Sequence, residues 1–229
     1  MAHDFQPDLD AIASIPAVAL ILEVICRTTG MGFAAVARVT DQRWVCCAVK
    51  DDIAFGLKPG GELKLQTTIC NEIRASRALV VIDHVAEDRI FHNHPTPAMY
   101  GFQSYISQPI ILANGGFFGT LCAIDPRPNK LNTTAVLGMF KLFADLVAFH
   151  LDTHLQLIAS QRENARLHEQ FRAGLGHDMR NTLAAMEAGT RLLQKTLLDE
   201  RGALIVAEMQ SSTQKLSKQI ADAMRPHQS

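Results

Sequence analysis

From Thr133 onward no proline occurs until Pro226, so nothing in this stretch forces a helix to end. Apolar residues recur through it at steps of three, four and seven, the period of an amphipathic helix of the coiled-coil type. The spacing therefore predicts one long helix, in which the polar stretch SQRENARLHEQ forms a solvated linker. The recurring residues are Leu142, Leu146, Phe149, Leu155, Ile158, Leu167, Phe171, Leu175, Met179, Leu183, Met186, Leu193 and Leu197.

A second helix is predicted after the segment LDERG, which interrupts the first run. Two antiparallel helices that each carry an apolar stripe bury their stripes poorly alone, whereas two such hairpins form a four-helix bundle. The pattern favours a homodimer of this kind, and the alternative is a hairpin that docks on the N-terminal half of its own chain. The second stripe consists of Leu204, Met209, Leu216, Ile220 and Met224.

The first 132 residues alternate between helical and strand patterns. Helices are predicted for DLDAIASIPAVALILEVICRTTG, which ends at Gly30, and for LQTTICNEIRASR, while KPGGEL and HNHPTPAMYG are typical of loops. About five strands, mostly antiparallel because their links are short, predict an α+β fold with helices against one face of a sheet. The predicted strands are FAAVARVT, RWVCCAVK, ALVVID, SYISQPIIL and FFGTLCAID.

Composition limits the classes of function. A formal net charge of -1 over 229 residues gives no basic footprint for nucleic acid. No run of 18 apolar residues occurs and the N-terminus is acidic, so we expect a cytoplasmic protein with no membrane segment. The cysteine count is odd and no C-x-x-C occurs, which favours buried free thiols over disulfides or a zinc site. The cysteines are Cys26, Cys46, Cys47, Cys70 and Cys122.

The segment GLGHDMRN places a histidine and an aspartate inside the predicted long helix, just after two glycines. His177 follows Leu175 by two residues, about 200° around the helix, so it points away from the packed side. Asp178 can orient or deprotonate the imidazole. Gly174 and Gly176 each cost about 1 kcal/mol relative to alanine and allow the helix to bend. These features suggest a phosphoryl-accepting histidine, and the alternative is an ordinary surface histidine.

The segment FRAGLGHDMRNTLAAMEAGTRLLQ resembles the H-box of sensor histidine kinases, H-[DE]-x-x-[NT]-P-L. The resemblance covers residues 160–225 and implies a HisKA-type dimerisation and phosphoacceptor hairpin. It implies that His177 accepts the phosphoryl group, that Asp178 is the base, and that Asn181 places the water for dephosphorylation of a response regulator. Thr182 departs from the pattern, because the family has proline there, so any bend must come from Gly174 and Gly176.

The first half resembles a GAF sensor domain of the kind found upstream of histidine kinases. The segments that carry the likeness run from CNEIRASRALVVIDHVAEDRIF through YGFQSYISQPI to GTLCAID, and the likeness covers residues 8–158. The resemblance implies a GAF-like domain over residues 1–158, followed by the linker helix and hairpin over residues 159–229. It does not imply a particular ligand, because a fold does not fix a function.

Together these resemblances imply a two-component sensor, in which the GAF domain modulates autophosphorylation of His177 and a response-regulator aspartate then receives the phosphoryl group. The alternative is a non-catalytic scaffold that binds a ligand or partner and uses the hairpin only to dimerise. No Gly-rich nucleotide box follows the hairpin, and ANGGFFG is typical of a turn between strands. ATP and Mg²⁺ would act through a separate or missing kinase domain, so we expect this chain alone to be inactive and to hold no cofactor itself.

Other candidate sites have weaker support. His150 and His154 lie four residues apart on a helix, and His92 and His94 alternate in a loop, but neither pair has a third ligand, so no metal site is predicted. None of the cysteines is followed by histidine, as in bilin-attaching GAF domains, and the cyclic-nucleotide pattern fails beyond Asn129 and Lys130. Haem would require a pocket histidine. The sequence leaves open a small ligand, a partner protein or an empty pocket.

Overall fold

The computed structural model describes residues 3–195 and 200–223. The chain divides into two compact units, Met1–Leu157 and Ile158–Ser229. The helices are α1 (Gln6–Ala13), α2 (Ala17–Thr29), α3 (Ile69–Ser76), α4 (Pro95–Tyr100), α5 (Thr134–Gln194) and α6 (Glu200–Ala223). The strands are β1 (Phe33–Val39), β2 (Trp44–Asp51), β3 (Glu62–Leu63), β4 (Val80–Ile82), β5 (Ser104–Ile111) and β6 (Phe117–Asp125).

The six strands form one antiparallel sheet in the order β3-β2-β1-β6-β5-β4. The five predicted strands are confirmed, as is the α+β class. Strand β3 lies inside KPGGEL, which was predicted to be a loop. It has only two residues, which pair with Trp44 and Val45 of β2, and two residues are too few to show a strand period.

Helices cover both faces of the sheet, so the prediction that they lie against one face was wrong. Helices α1, α2 and the start of α5 pack on the face that carries Ala34 and Val36. Helix α3 packs on the opposite face, where Phe33 and Ala35 point. The physical reason lies in β1 itself: FAAVARV is apolar on both sides, and a strand of that kind needs a layer on each face.

The opening helix is two helices rather than one. Pro16 separates α1 from α2, and the two helices meet at 76°. Proline lacks a backbone N–H and restricts the residue before it, so a helix that reaches it ends or kinks. The predicted end at Gly30 is confirmed: this residue has φ +75° and its N–H donates to the carbonyl of Cys26.

The first part of α5 belongs to the core of the first unit. Its buried side chains follow a helical period and face the sheet: Val136, Phe140, Ala144, Val147, Ala148 and Leu151. By length and composition alone α5 would be able to cross a membrane, and so would α1 and α2 if they formed one span. Here the apolar residues of α1, α2 and the first part of α5 pack in the core beside the sheet.

The second unit is a pair of helices in which buried positions alternate with half-exposed apolar positions. On α5 the buried residues are Leu183 and Thr190, and on α6 they are Val206, Thr213 and Ile220, all at intervals of seven. A side chain of a single exposed helix cannot be buried so completely, so the two helices pack on each other as a hairpin. The residues 196–199 and Met224, which include part of the predicted break, lie outside the described residues.

Between the buried layers lie apolar side chains that remain about half exposed. They include Met186 on α5 with 53% of its surface exposed, and Met209 and Leu216 on α6 with 50% and 45%. Each is offset by three or four residues from a buried position, as the a and d positions of a heptad are. Within one chain, therefore, only every second apolar position along this face of each helix is buried.

We predict that Gly119→Ala lowers the free energy of unfolding by about 3 kcal/mol, as overpacking does in a tight core. Gly119 lies in β6, and a Cβ there would overlap the backbone carbonyl oxygen of Ala37 in β1. Gly138→Ala is the matched control, since a Cβ at that site in α5 meets nothing within 4 Å. Urea denaturation followed by circular dichroism measures both, and equal midpoints would contradict the prediction.

Candidate functional site

The three residues proposed from the H-box lie close together on the second half of α5. The Nδ1 atom of His177 is 3.3 Å from Nδ2 of Asn181 and 3.5 Å from Oδ1 of Asp178. The imidazole is 72% exposed and the carboxylate is 84% exposed. The distance to the carboxylate is longer than an ordinary hydrogen bond, so the amide one turn later is the nearer partner. Both of these contacts fall on Nδ1.

The helix continues unbroken through this region. Thr182, which stands where the family has proline, donates its hydroxyl to the carbonyl of Asp178 at 2.9 Å, a bond that keeps a threonine compatible with a helix interior. A Cβ on Gly174 would meet nothing within 4 Å. Met179 is half-buried and Leu183 is buried, as the stripe predicts; the surroundings of Leu175 and Gly176 lie outside the described residues.

A second candidate site, which the sequence did not reveal, is a cavity of about 40 Å³ between the sheet and α3. Large side chains of the sheet, among them Phe33 and Tyr105, form its floor, and residues of the elements packed above them form its other walls. The lining is largely aromatic and aliphatic, with a few sulfur and hydroxyl groups: Phe33, Trp44, Phe55, Leu57, Leu63, Thr68, Ile69, Cys70, Thr96, Tyr100, Phe102, Tyr105, Cys122 and Ile124.

A short loop after β2 closes one side of this cavity. The carboxylate of Asp51 accepts hydrogen bonds from the N–H groups of Ile53, Phe55 and Gly56. Burial raises the pKa of Asp51, but these hydrogen bonds outweigh burial and lower it. The stabilisation is therefore present above the ordinary carboxyl pKa and is lost as the pH falls through the lower folded value. The loop holds the ring of Phe55 5.0 Å from Phe33.

Helix α4 closes the cavity beside that loop. The hydroxyl of Tyr100 lies 2.6 Å from Oγ1 of Thr67, and the hydroxyl of Thr96 donates to the carbonyl of Thr67 at 2.7 Å. His94 caps this helix and places its Nε2 2.8 Å from Glu72 of α3. An open groove on the outside shares six residues with the cavity lining, so these side chains separate the cavity from the groove, and Phe55 and Tyr100 are the ones that the closing loop and α4 contribute. The shared residues are Phe55, Leu57, Leu63, Tyr100, Phe102 and Ile124.

The inner end of the cavity is polar. Cys70 Sγ accepts a hydrogen bond from the Thr120 hydroxyl at 3.3 Å and lies 3.5 Å from the Tyr105 hydroxyl. Nε1 of Trp44 and the hydroxyl of Ser107 are buried on the same face, close enough to Cys70 and Tyr105 to oppose the effect of burial on the pKa of those groups. The polar groups at this end of the cavity therefore interact with one another.

The remaining histidine pairs do not form metal sites in the described residues. His94 contacts Glu72 and the N–H of Thr96, and His92 contacts Asn93 and the carbonyl of Asp88. No group of three His, Cys, Asp or Glu side chains able to hold a metal ion occurs in residues 3–195 and 200–223. All five cysteines are free and buried, which confirms the expectation of buried thiols.

A family model described as GAF domain matches residues 15–151, which is more than half of the chain. The chain belongs to the GAF domain family. The matched region contains the whole sheet, the cavity and the first part of α5. No curated protein matches the sequence.

Solved GAF domains have the same fold at low sequence identity. The blue-light absorbing form of the PixJ GAF domain from Thermosynechococcus elongatus superposes with a TM-score of 0.55 at 13% identity, over 73% of this chain and 98% of that one. A GAF domain region from Geobacter sulfurreducens PCA gives 0.51 at 14% identity, over 64% and 95%. Identities this low establish the fold and leave the ligand and the output to the residues of this chain.

The size of the cavity limits what this GAF domain holds in the conformation described. Ligand sites for drug-sized molecules and cofactors have volumes of roughly 300–1,000 Å³, and this cavity has about 40 Å³. A bilin, a haem or a cyclic nucleotide would have to displace the loop after β2 or α4. Without such movement the cavity accepts only molecules of a few heavy atoms.

We predict that Phe55→Ala opens the cavity to solvent. Trp44 is the only tryptophan in the chain and is 2% exposed, so its fluorescence reports directly on this site. Acrylamide quenching of its emission should increase severalfold in the variant, because the wall between cavity and groove is lost. Phe149→Ala, which removes a phenyl ring that is 64% exposed on α5, should leave quenching at the wild-type value. Equal quenching in the two variants would show that Phe55 is not the wall.

Proposed function

We propose that this GAF domain is the sensor of a cytoplasmic two-component system, and that α5 carries its phosphoacceptor, His177. A kinase domain that supplies ATP and Mg²⁺ would phosphorylate this histidine, and an aspartate of a response regulator would receive the phosphoryl group. The chain would act as the sensor and phosphoacceptor part of a histidine kinase and would have no activity without that domain.

The observation that carries the proposal is the geometry around the imidazole. His177 is exposed on a helix, and its Nδ1 lies beside Asp178 and Asn181. In the tautomer that carries its proton on Nδ1 and donates it to Asp178, Nε2 presents the lone pair that nucleophilic attack on phosphorus requires. The amide nitrogen of Asn181 can only donate, so in that tautomer it would turn away from Nδ1. Nε2 would form the N–P bond as the bond from the γ-phosphorus to the leaving oxygen breaks.

The two neighbours have different roles in this proposal. Asp178 accepts the Nδ1 proton or stabilises its charge, for which the carboxylate must move closer than the present 3.5 Å. Asn181, 3.3 Å from Nδ1, presents an amide at the position from which a water molecule would be directed during dephosphorylation of the response regulator. Both roles come from the H-box resemblance, and the short distances from Asp178 and Asn181 to His177 support them.

The homodimer is part of the same proposal. The half-exposed layer of Met186, Met209 and Leu216 alternates with the buried layer of the hairpin, and a second hairpin of the same sequence supplies an identical apolar layer. An isologous pair would bury both layers at once and give a four-helix bundle. This arrangement also serves the scaffold alternative, in which the hairpin dimerises and His177 has no chemical role.

We predict that His177→Gln abolishes phosphorylation by a kinase domain from a related histidine kinase, and that Asp178→Asn slows it strongly. Glutamine keeps a polar side chain but has no nucleophilic ring nitrogen. Transfer of ³²P from ATP, with loss of the label in acid and retention in base, measures the phosphohistidine. His168→Gln is the control, because His168 is also exposed on α5 and should leave labelling unchanged.

Labelling that persists in His177→Gln would contradict the phosphoacceptor assignment. Wild-type protein that remains unlabelled with several related kinase domains, yet forms a dimer, would support the scaffold alternative.

We predict that Met209→Lys weakens the dimer and that Leu204→Lys does not. Both residues are on α6 and exposed, but Met209 lies on the half-covered layer, whereas Leu204, 71% exposed, lies outside it. A lysine in an apolar interface loses hydration without gaining a partner. Light scattering at micromolar concentration should give twice the chain mass of 25.2 kDa for wild type and Leu204→Lys, and a lower mass for Met209→Lys. A wild-type mass of one chain would rule out the dimer.

A further inference from the structure

Two cysteine side chains meet at the inner end of the cavity. Cys70 comes from the first turn of α3 and Cys122 from the middle of β6, and both line the cavity. They belong to layers that pack face to face, so the side chains approach from opposite sides. The Cys122 thiol donates to the carbonyl of Ala35 at 3.6 Å, and the Cys70 sulfur lies over the same strand, 3.3 Å from the hydroxyl of Thr120 two residues earlier.

The surroundings distinguish the two sulfurs. Hydrogen bonds from Cys122 and then from the Thr120 and Tyr105 hydroxyls lower the pKa of Cys70, against the opposing effect of burial. The same hydrogen bond and burial raise the pKa of Cys122. The Cys70 sulfur has two hydroxyls beside it that can stabilise a thiolate, whereas the Cys122 thiol donates its proton to a carbonyl. A thiolate beside a thiol is the arrangement of an attacking and a resolving cysteine.

We propose that Cys70 and Cys122 form a redox-sensitive pair, which a small uncharged peroxide that enters the cavity oxidises reversibly to a disulfide. The Cys70 thiolate attacks one oxygen of hydrogen peroxide, the O–O bond breaks, and sulfenic acid and hydroxide form. The Cys122 sulfur then attacks the Cys70 sulfur, the S–O bond breaks, and water leaves. Two thiols and one peroxide give one disulfide and two waters, and a dithiol such as dithiothreitol reverses the oxidation.

The cavity selects the oxidant by size. Its volume of about 40 Å³ is close to the ~30 Å³ that one water molecule occupies in the liquid, and hydrogen peroxide is only slightly larger. Glutathione disulfide and other bulky oxidants cannot reach the sulfurs through the wall of Phe55 and Tyr100. The site is separate from His177 and does not depend on the phosphoacceptor proposal.

The other three thiols provide internal controls. Cys46 lies on the same face of the sheet, but its thiol contacts the carbonyl of Ala48, and burial raises its pKa to about 12. Burial also raises the pKa of Cys47 to about 12 and that of Cys26 to about 11. These thiols remain protonated near neutral pH, so peroxide should oxidise them far more slowly than Cys70.

The test is peroxide titration of the reduced full-length chain, followed by alkylation under denaturing conditions and intact-mass measurement. We expect rapid loss of two alkylatable thiols per chain, and a tryptic cross-link between residues 65–74 and residues 90–130. Dithiothreitol should restore both thiols, and glutathione disulfide should have little effect. A cross-link between other cysteines, or uniform slow oxidation of all five, would overturn the proposal.

Three variants make the assignment specific. Cys46→Ala should form the same cross-link at the wild-type rate. Cys122→Ala should stop at a Cys70 sulfenic acid, because the resolving thiol is absent, and dimedone added together with the denaturant should trap it. Tyr105→Phe should slow oxidation about tenfold, the effect of one lost hydrogen bond to a charged group. Unchanged rates in Tyr105→Phe, or dimedone labelling of Cys122 instead of Cys70, would contradict the order of attack.

Discussion

The two-sided burial of β1 and β6 is the constraint on which the rest of this structure depends. Ala34, Ala35 and Val36 have no exposed surface although they point to alternate faces, so each face of the sheet needs its own layer. On one face α5 supplies part of that layer through Phe140 and Val147. The helix that carries His177 therefore begins as a core element of the GAF domain. It is held there by about 1.5–3 kcal/mol for each large side chain that it buries.

The opposite face is covered by shorter elements, and this difference creates the cavity. Helix α3 has eight residues and α4 has six, and the cavity lies between these short elements and the sheet. The gap is closed by Phe55 and Tyr100, which are held by hydrogen bonds of Asp51 and Thr67. Such small elements open at lower free energy than the long helices on the other face. Ligand binding or oxidation at the cavity would therefore affect this less stable layer, α3, α4 and the loop after β2, before the layer on the other face.

The helical hairpin differs from the GAF domain, because part of its apolar surface stays exposed within one chain. Leu183 and Val206 are buried, while Met186 and Met209, half a heptad away, are not. Large apolar surfaces of this kind on a soluble domain mark interaction sites. A second hairpin of the same sequence would cover this surface. The exposed His177 would remain accessible on the outside of such a bundle.

The sequence by itself determined the elements whose signal is local. Strands β1, β2, β5 and β6 are short apolar runs bounded by turn residues, α2 ends at Gly30, and the proline-free stripe indicates α5. The H-box resemblance singles out His177, Asp178 and Asn181, and their roles stay a prediction. Predictions failed where the signal was too short or not periodic: β3 has two residues, and Pro16 divides a stripe that otherwise continues. Only the tertiary structure decided that helices cover both faces, that a cavity lies between the sheet and α3, and that Cys70 and Cys122 both line it. These contacts join residues about 50 or more positions apart, and pairing across a sheet is fixed by which strands are neighbours, which no local period encodes.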